Sequence, residues 1–214
     1  MIAAEAVAAA IEDALSRAPT LAAWAAERAE REVPGGRGPA WRVDLGGTPA
    51  AVRHYRRGGW MGPLLGDRYF DRPPRPFAEL AVSELLRQAG VSTPPILAAV
   101  AYAARPGYRA DLATAWIEPG LDLADLLRPG LYPAAERGAA LETAGEAVGR
   151  AHGAGLDHPD LRPGNLFLRP LGPGRWEAWL LDLDRASLGA PAEAKKKTSS
   201  GSGAPSPRSA ARAA

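Results

Sequence analysis

The run His152-Gly153-Ala154-Gly155-Leu156-Asp157-His158-Pro159-Asp160-Leu161-Arg162-Pro163-Gly164-Asn165 decides how the rest of the chain is read. In it, His158-Pro159-Asp160 is followed five residues after the acid by Asn165. A carboxylate and an amide at the two ends of a short Gly/Pro loop form a specific chemical pair. The carboxylate can meet a hydroxyl as it attacks a phosphoryl group. The amide oxygen, one loop away, can reach a magnesium ion on a triphosphate. Asp160 is therefore the candidate catalytic residue and Asn165 a candidate metal ligand. Residues 133–151 predict a long helix that delivers the chain into this loop. A chance occurrence of the pattern is the competing reading, and the flanking sequence decides between the two.

Downstream, residues 166–168 and 179–181 predict two short strands joined by a Pro/Gly hairpin over 170–174. The second strand runs into Leu181-Asp182-Leu183-Asp184. A hard carboxylate at a strand end, facing the loop just described, suits magnesium, which prefers carboxylate and phosphate oxygens. Asp182 is the second candidate metal ligand. Without the Asp160/Asn165 loop, a solvated acidic turn is the simpler account.

Upstream, Pro34-Gly35-Gly36-Arg37-Gly38-Pro39 interrupts a helical N-terminal stretch. Glycines allow backbone N–H groups to approach phosphates closely, so Gly36 and Gly38 are candidate nucleotide contacts. Residues 41–45 and 50–55 predict a hairpin about Gly46-Gly47. It carries Arg53, a guanidinium suited to phosphates. Pro76 opens a predicted helix that runs to about Ala89, with Val82, Leu85, Leu86 and Ala89 as its apolar stripe. Glu79 lies on the flank of that stripe, where a carboxylate calls for a cation, and Arg53 is the natural partner. Two further strands are predicted over 96–102 and 108–117, and a short helix over 121–127.

Composition narrows the class. The 214 residues suit one domain or two small lobes sharing a cleft, and 46% hydrophobic residues supply a core. The absence of cysteine excludes a disulfide framework, a thiol nucleophile and a Cys-ligated zinc site. The net charge of +2 is uneven. Five basic residues against Glu193 give residues 190–214 a charge of +4, which leaves −2 for the rest. Specific nucleic-acid binding by the folded body is not expected. No apolar run is long enough for a transmembrane helix, and no secretory leader is expected. A cytoplasmic location follows as the default. The Lys-rich, Ser/Gly-rich and Ala/Pro-rich composition after about residue 188 predicts a disordered basic tail over 190–214.

The order of these features resembles protein kinases: glycine loop, basic strand residue, helix acid, His-x-Asp loop with its Asn, and strand-end Asp. Asp184 stands where their Asp-Phe-Gly motif has glycine. A narrower resemblance lies in Val52-Arg53-His54-Tyr55-Arg56-Arg57-Gly58-Gly59, Asp67-Arg68-Tyr69, Phe77-Ala78-Glu79, Tyr108-Arg109-Ala110-Asp111-Leu112 and Leu181-Asp182-Leu183-Asp184-Arg185-Ala186. Over residues 35–188 the chain resembles the lipopolysaccharide kinase family, whose members phosphorylate 3-deoxy-D-manno-octulosonic acid (Kdo).

That resemblance implies an α+β, protein-kinase-like two-lobe fold with a strand-rich N-lobe and a helical C-lobe. The expected layout is an N-terminal helical segment over 1–32, an N-lobe over 33–118, an incomplete C-lobe over 119–189, and the tail. It implies ATP and Mg²⁺ as cofactors and transfer of the γ-phosphate to a Kdo hydroxyl of Kdo–lipid A. It also implies a peripheral position on the anionic cytoplasmic face of the inner membrane. Arg56 and Arg57 are candidates to face the acceptor or the lipid surface. Two alternatives remain at this stage. One is a pseudokinase or degraded paralogue that binds nucleotide or a partner. The other is a small-molecule kinase of the aminoglycoside/choline type.

Overall fold

The computed structural model describes residues 1–33, 38–57 and 66–189. The expectations for Gly36, for the Gly58-Gly59 end of the basic run and for a disordered tail over 190–214 lie outside the described residues.

The two predicted hairpins and two short N-terminal strands build an antiparallel six-stranded sheet. Its strands are β1 (Ile2–Ala3), β2 (Arg31–Val33), β3 (Ala40–Asp44), β4 (Pro49–His54), β5 (Ile96–Ala103) and β6 (Tyr108–Ala115), in the order β1-β5-β6-β4-β3-β2. Side chains alternate across a strand, so this sheet has two different faces. Val43, Ala50, Val52, Ala98, Val100 and Ala113 point outward. They pack on Val7, Ile11, Ala14, Leu21, Ala22 and Ala25 of the N-terminal segment, which includes helices α1 (Ala8–Arg17) and α2 (Leu21–Arg28). Residues 1–32, expected as an N-terminal helical segment, thus supply β1, most of β2 and the cover of the sheet's outer face. The physical reason is burial: an Ala/Ile/Leu helix face and an Ala/Val sheet face remove each other's apolar surface from water.

The inner face meets helix α3 (Arg75–Gln88). Tyr55, Ala99, Ala110 and Leu112 pack there with Tyr69, Phe77 and Leu80. The buried positions of α3 are Pro76, Glu79, Ser83 and Leu86, whereas Leu85 is 52% exposed. The apolar stripe expected through Val82, Leu85, Leu86 and Ala89 is therefore displaced by part of a turn. Polar partners across the cleft pull Glu79 and Ser83 inward, which apolar periodicity does not reveal.

The second lobe has its own core. Helix α4 (Leu123–Leu126) and helix α5 (Ala134–Gly153) pack with a three-stranded sheet of order β10-β9-β7: β7 (Leu121–Asp122), β9 (Leu166–Gly172) and β10 (Arg175–Leu180). Ala140, Ala144, Ala147 and Ala151 line the buried face of α5, and their small side chains let the helix lie close on β10. The loop after α5 turns at Gly155 (φ 85°), a left-handed position that glycine adopts without penalty. It then forms β8 (Leu156–Asp157), which pairs with β11 (Ser187–Leu188), and a 3-10 turn over Pro163–Asn165. At Gly120 a Cβ would lie 2.4 Å from the Phe167 ring and 2.5 Å from the Leu168 carbonyl oxygen, so only glycine lets the linker pass β9. Among the described residues no helix is long and apolar enough to cross a membrane.

Candidate active site

A cleft of about 390 Å³ lies between the two lobes. Its walls bring together residues that are far apart in the chain: Gly38, Arg53, Glu79, Arg162, Asn165 and Asp182. Arg53 and Glu79 sit on regular elements, and the others lie in turns or at element ends beside them. Arg53 sits on β4, paired in register with Ala40 and Leu112. Glu79 faces it from α3. Asn165 ends the 3-10 turn before β9, and Asp182 follows β10. The Leu181 N–H donates to the Asn165 carbonyl (2.9 Å), and the Leu180 N–H donates to the Ser92 carbonyl (2.9 Å). The two metal-ligand candidates are thus tied to each other and to the segment that follows α3.

Arg53 Nη2 lies 2.6 Å from both Glu79 carboxylate oxygens and 3.6 Å from Asp182 Oδ1. Glu79 is buried (6% exposed) and also accepts a 2.5 Å hydrogen bond from the Tyr55 hydroxyl. The Arg53 guanidinium stacks over the Tyr55 ring at 4.6 Å. Burial works against the Arg53 charge, but Glu79, Tyr55 and Asp182 outweigh it and raise its pKa above the usual value. Burial and the Glu79 charge likewise push the Tyr55 hydroxyl up, so it stays protonated and can only donate to Glu79. The cation is held in place by partners that leave its remaining N–H groups for a phosphate.

Asp160 joins the cleft through Asn165, whose Nδ2 donates to the Asp160 carbonyl oxygen (2.8 Å) and carboxylate Oδ2 (3.3 Å). The amide nitrogen is therefore committed to the loop, and the amide oxygen is the atom available to a cation. Arg162 Nε stands 3.5 Å from Asp160 Oδ1. His158 accepts the Asp160 N–H at Nδ1 (3.3 Å), and its Nε2 faces the Leu181 carbonyl oxygen at 3.3 Å. The loop is thereby stitched to the strand end that carries Asp182.

Among the described residues no cluster of three His, Cys, Asp or Glu side chains could enclose a metal. One carboxylate and one amide oxygen on the same cleft wall are nevertheless a donor set that fits magnesium. That ion keeps waters and substrate phosphates in its shell and rarely uses an all-protein cage. Asp182 adopts φ 54° and Arg185 φ 68°, left-handed backbone that non-glycine residues enter at a cost and that gathers at functional sites.

The other candidates divide. Gly38 (φ 127°) lines the cleft, and a Cβ there would stand 3.1 Å from Arg56 Cδ. Arg56 thus lies beside a residue of the cleft wall. Arg57 is engaged elsewhere: its Nε donates to the Arg68 carbonyl (2.7 Å) and its guanidinium lies over the Tyr69 and Phe70 rings. Sequence reasoning missed Tyr55, Arg162 and Arg75. For Tyr55 a signal existed, since residues 53 and 55 share one face of a strand. Arg75 lies one residue ahead of the helix start expected at Pro76. It forms the first turn of α3, and its Nη1 lies 3.1 Å from both oxygens of buried Asp184.

With this geometry in view, comparison with known proteins is specific. Residues 22–199 match the model of the lipopolysaccharide kinase (Kdo/WaaP) family. The match begins inside α2, ahead of the residue 35 expected from motifs. A 3-deoxy-D-manno-octulosonic acid kinase of Xylella fastidiosa (strain M12) is 35% identical over 173 residues, 79% of this chain and 66% of the relative. One of Stenotrophomonas maltophilia (strain K279a) is 38% identical over 165 residues, 75% of this chain and 62% of the relative. The chain thus spans a little under two thirds of the length of these relatives. A solved structure described as WaaP in complex with acyl carrier protein superposes with a TM-score of 0.54 at 21% identity, covering 78% of this chain and 66% of that one. It supports the α+β, protein-kinase-like fold.

Proposed function

The chain belongs to the lipopolysaccharide kinase (Kdo/WaaP) family, and from that premise we propose that it transfers the γ-phosphate of ATP to a hydroxyl of Kdo on Kdo–lipid A. The observation that carries this reading is the convergence of Arg53, Glu79, Asn165 and Asp182 on one cleft, with Asp160 hydrogen-bonded to Asn165. In the proposed reaction the acceptor hydroxyl oxygen forms a bond to the γ-phosphorus. The bond from that phosphorus to the β–γ bridging oxygen breaks, and ADP leaves. Asp160 takes the hydroxyl proton. Arg53, held by Glu79 and Tyr55, binds phosphate oxygens. Asn165 and Asp182 would hold Mg²⁺, which supplies charge neutralisation for the triphosphate.

The anionic acceptor and a position on the cytoplasmic face of the inner membrane belong to the same proposal. Arg56, beside cleft-lining Gly38, would meet an anionic sugar. Phe70 (48% exposed) is flanked by Arg57, Arg68 and Arg105, whose side chains or backbone form one hydrogen-bonded corner. Basic and aromatic groups side by side suit an anionic lipid surface.

The test is transfer from radiolabelled ATP to Kdo–lipid A by the wild type and by Asp160→Ala. The variant is expected to lose about 10²–10⁴-fold in rate while it still binds nucleotide. Nucleotide binding by the wild type with no transfer to any Kdo acceptor would instead establish the pseudokinase reading. Equal transfer by the variant would remove Asp160 from the mechanism.

A further inference from the structure

The second acid of Asp182-Leu183-Asp184 does not face the cleft. Asp184 is 5% exposed and receives Arg75 from the first turn of α3, at 3.1 Å to each carboxylate oxygen. Arg75 is also fixed from its other sides. Its Nε donates to Asp71 (2.9 Å), its guanidinium lies 4.6 Å over the Tyr69 ring, and its backbone N–H donates to the Tyr108 hydroxyl (3.0 Å). Burial works against this charge too, yet Asp71 and Asp184 raise it overall.

Arg75 and Glu79 are four residues apart and so lie on one side of α3, one turn from each other. Glu79 holds Arg53, Arg53 lies 3.6 Å from Asp182, and Asp182 is joined through Leu183 to Asp184, which Arg75 holds. The charges therefore form a closed ring: α3 reaches the strand-end acids by two routes, one to Asp182 and one to Asp184. Leu183 between them is buried in the core of the second lobe. Asp182 and Arg185 both sit in left-handed backbone, so the turn that presents Asp182 needs outside support to hold one conformation.

We propose that Arg75 is a positioning residue for Asp182: by clamping Asp184 from α3, it sets the turn that points the Asp182 carboxylate at the nucleotide's metal. The inference rests on the kinase reading above and adds that α3, through Arg75, controls whether the cation site is formed. Asp184 is an anchor and not a metal ligand.

The experiment follows Mg²⁺-dependent binding of a fluorescent ATP analogue to the full chain. It compares the wild type, Arg75→Met, Arg75→Lys, Asp184→Asn and the double variant Arg75→Met/Asp184→Asn. In parallel, hydrogen exchange is measured at the amides of residues 182–186 without nucleotide. Loss of a residue that orients a metal ligand costs about 10–100-fold in metal affinity. Arg75→Met and Asp184→Asn should each raise the half-saturating Mg²⁺ concentration by about that range, with metal-free nucleotide binding unchanged. Exchange over 182–186 should rise in both. The double variant should be no worse than either single, because the two changes remove one interaction. Arg75→Lys, which keeps the charge but not the fork, should fall between wild type and Arg75→Met.

Unchanged Mg²⁺ dependence in both single variants, or effects that multiply in the double variant, overturns the inference. If only the melting temperature falls, Arg75 is a structural ion pair and nothing more. If the wild type shows no Mg²⁺-dependent nucleotide binding, the inference and the kinase reading fall together. If the variants behave as expected while the wild type leaves Kdo–lipid A unmodified, the inference stands and the acceptor assignment fails.

Discussion

The two faces of the six-stranded sheet carry charged clusters of opposite character. On the outer face, His54, Asp111 and Tyr102 sit beneath the start of α2. The Asp111 carboxylate is fully buried and accepts from the Ala22 N–H (2.8 Å) and the Tyr102 hydroxyl (2.9 Å), and it faces His54 Nδ1 at 2.5 Å. The Leu21 N–H donates to the Tyr102 hydroxyl and the Ala23 N–H to Thr20 Oγ1. Three N–H groups that the first turn of a helix leaves unmatched are thereby satisfied. On the inner face, Arg53 and Asp182 are each 27% exposed and open to the cleft. Both clusters are ionic and both sit on β4, one residue apart. The outer one centres on the fully buried Asp111 carboxylate and ties α2 to the sheet, although its His54 also borders the cleft. The inner one keeps accessible donors and acceptors for a ligand. Burial and saturation of partners, more than charge, separate a structural network from a binding one.

This contrast can be broken most forcefully at Asp111. Asp111→Ala takes the buried acceptor from the Ala22 N–H and the Tyr102 hydroxyl and leaves His54 with only Asp67 of its two carboxylate partners. Removing one partner of a buried charged pair costs about 3–5 kcal/mol. Thermal unfolding should shift down by roughly 10 °C, while the molecules that remain folded keep their Mg²⁺-dependent nucleotide affinity. A melting curve like that of the wild type would show that the outer cluster does not hold the lobe together.

A smaller effect is expected on the inner face from Tyr55→Phe, which removes only the hydroxyl that donates to Glu79. A hydrogen bond to a charged group contributes about 1.5–3 kcal/mol, so stability should fall by about that much. Unlike Asp111→Ala, this variant should also weaken nucleotide binding, because Glu79 loses one of the groups that orient it against Arg53. Calorimetry and a nucleotide titration on the same preparation check both halves. A stability loss with unaltered nucleotide affinity would place Tyr55 with the outer, purely structural cluster.

Much of this arrangement was legible in the residues themselves. Gly46-Gly47, Pro94-Pro95 and Pro119-Gly120 punctuate the chain where the structure turns, and the strands β3 to β6 fall within a few residues of the expected spans. The Asp160–Asn165 spacing and the strand-end Asp182 were readable because the chemistry of phosphoryl transfer restricts both residue type and separation. What could not be read depends on distant partners. Ile2-Ala3 has no strand signal of its own and is a strand only because Ala98 and Ala99 pair with it. Leu121-Asp122, expected as the start of a helix, pairs with Phe167 and Leu168 before the helix begins. The inward face of α3 was misjudged because Glu79 and Ser83 are buried by Arg53, Tyr55 and Thr93, not by apolar contacts. The role of Arg75 required knowing that residue 184, more than a hundred positions away, folds against it.

The finest test of the difference between the faces is pH. His54 meets carboxylates at both ring nitrogens: Nδ1 faces Asp111 at 2.5 Å and Nε2 faces Asp67 at 3.0 Å. A neutral imidazole has one N–H and can satisfy one of them, whereas the imidazolium satisfies both. Burial disfavours the charge, but the bonds to Asp111 and Asp67 prevail and the His54 pKa is raised above its usual value. Asp67, despite partial burial, is lowered by His54 and Arg109. For a group whose folded pKa is raised, the added stability is fully present below the ordinary histidine pKa of about 6.5 and is lost as pH rises through the raised value. The wild type should therefore lose stability as pH rises from neutral into the alkaline range. The Asp67 contribution runs the other way: it is present above the ordinary carboxylate range and lost only in acid. His54→Gln should flatten the neutral-to-alkaline slope of the denaturation midpoint and also weaken the acid limb, where Arg109 remains to lower Asp67. The inner cluster has no histidine, so the Mg²⁺-dependent nucleotide affinity of the variant should follow the wild-type pH profile. If His54→Gln instead alters that profile, the two faces of β4 are electrostatically coupled, and the division between a buried structural cluster and an open binding cluster fails at their shared strand.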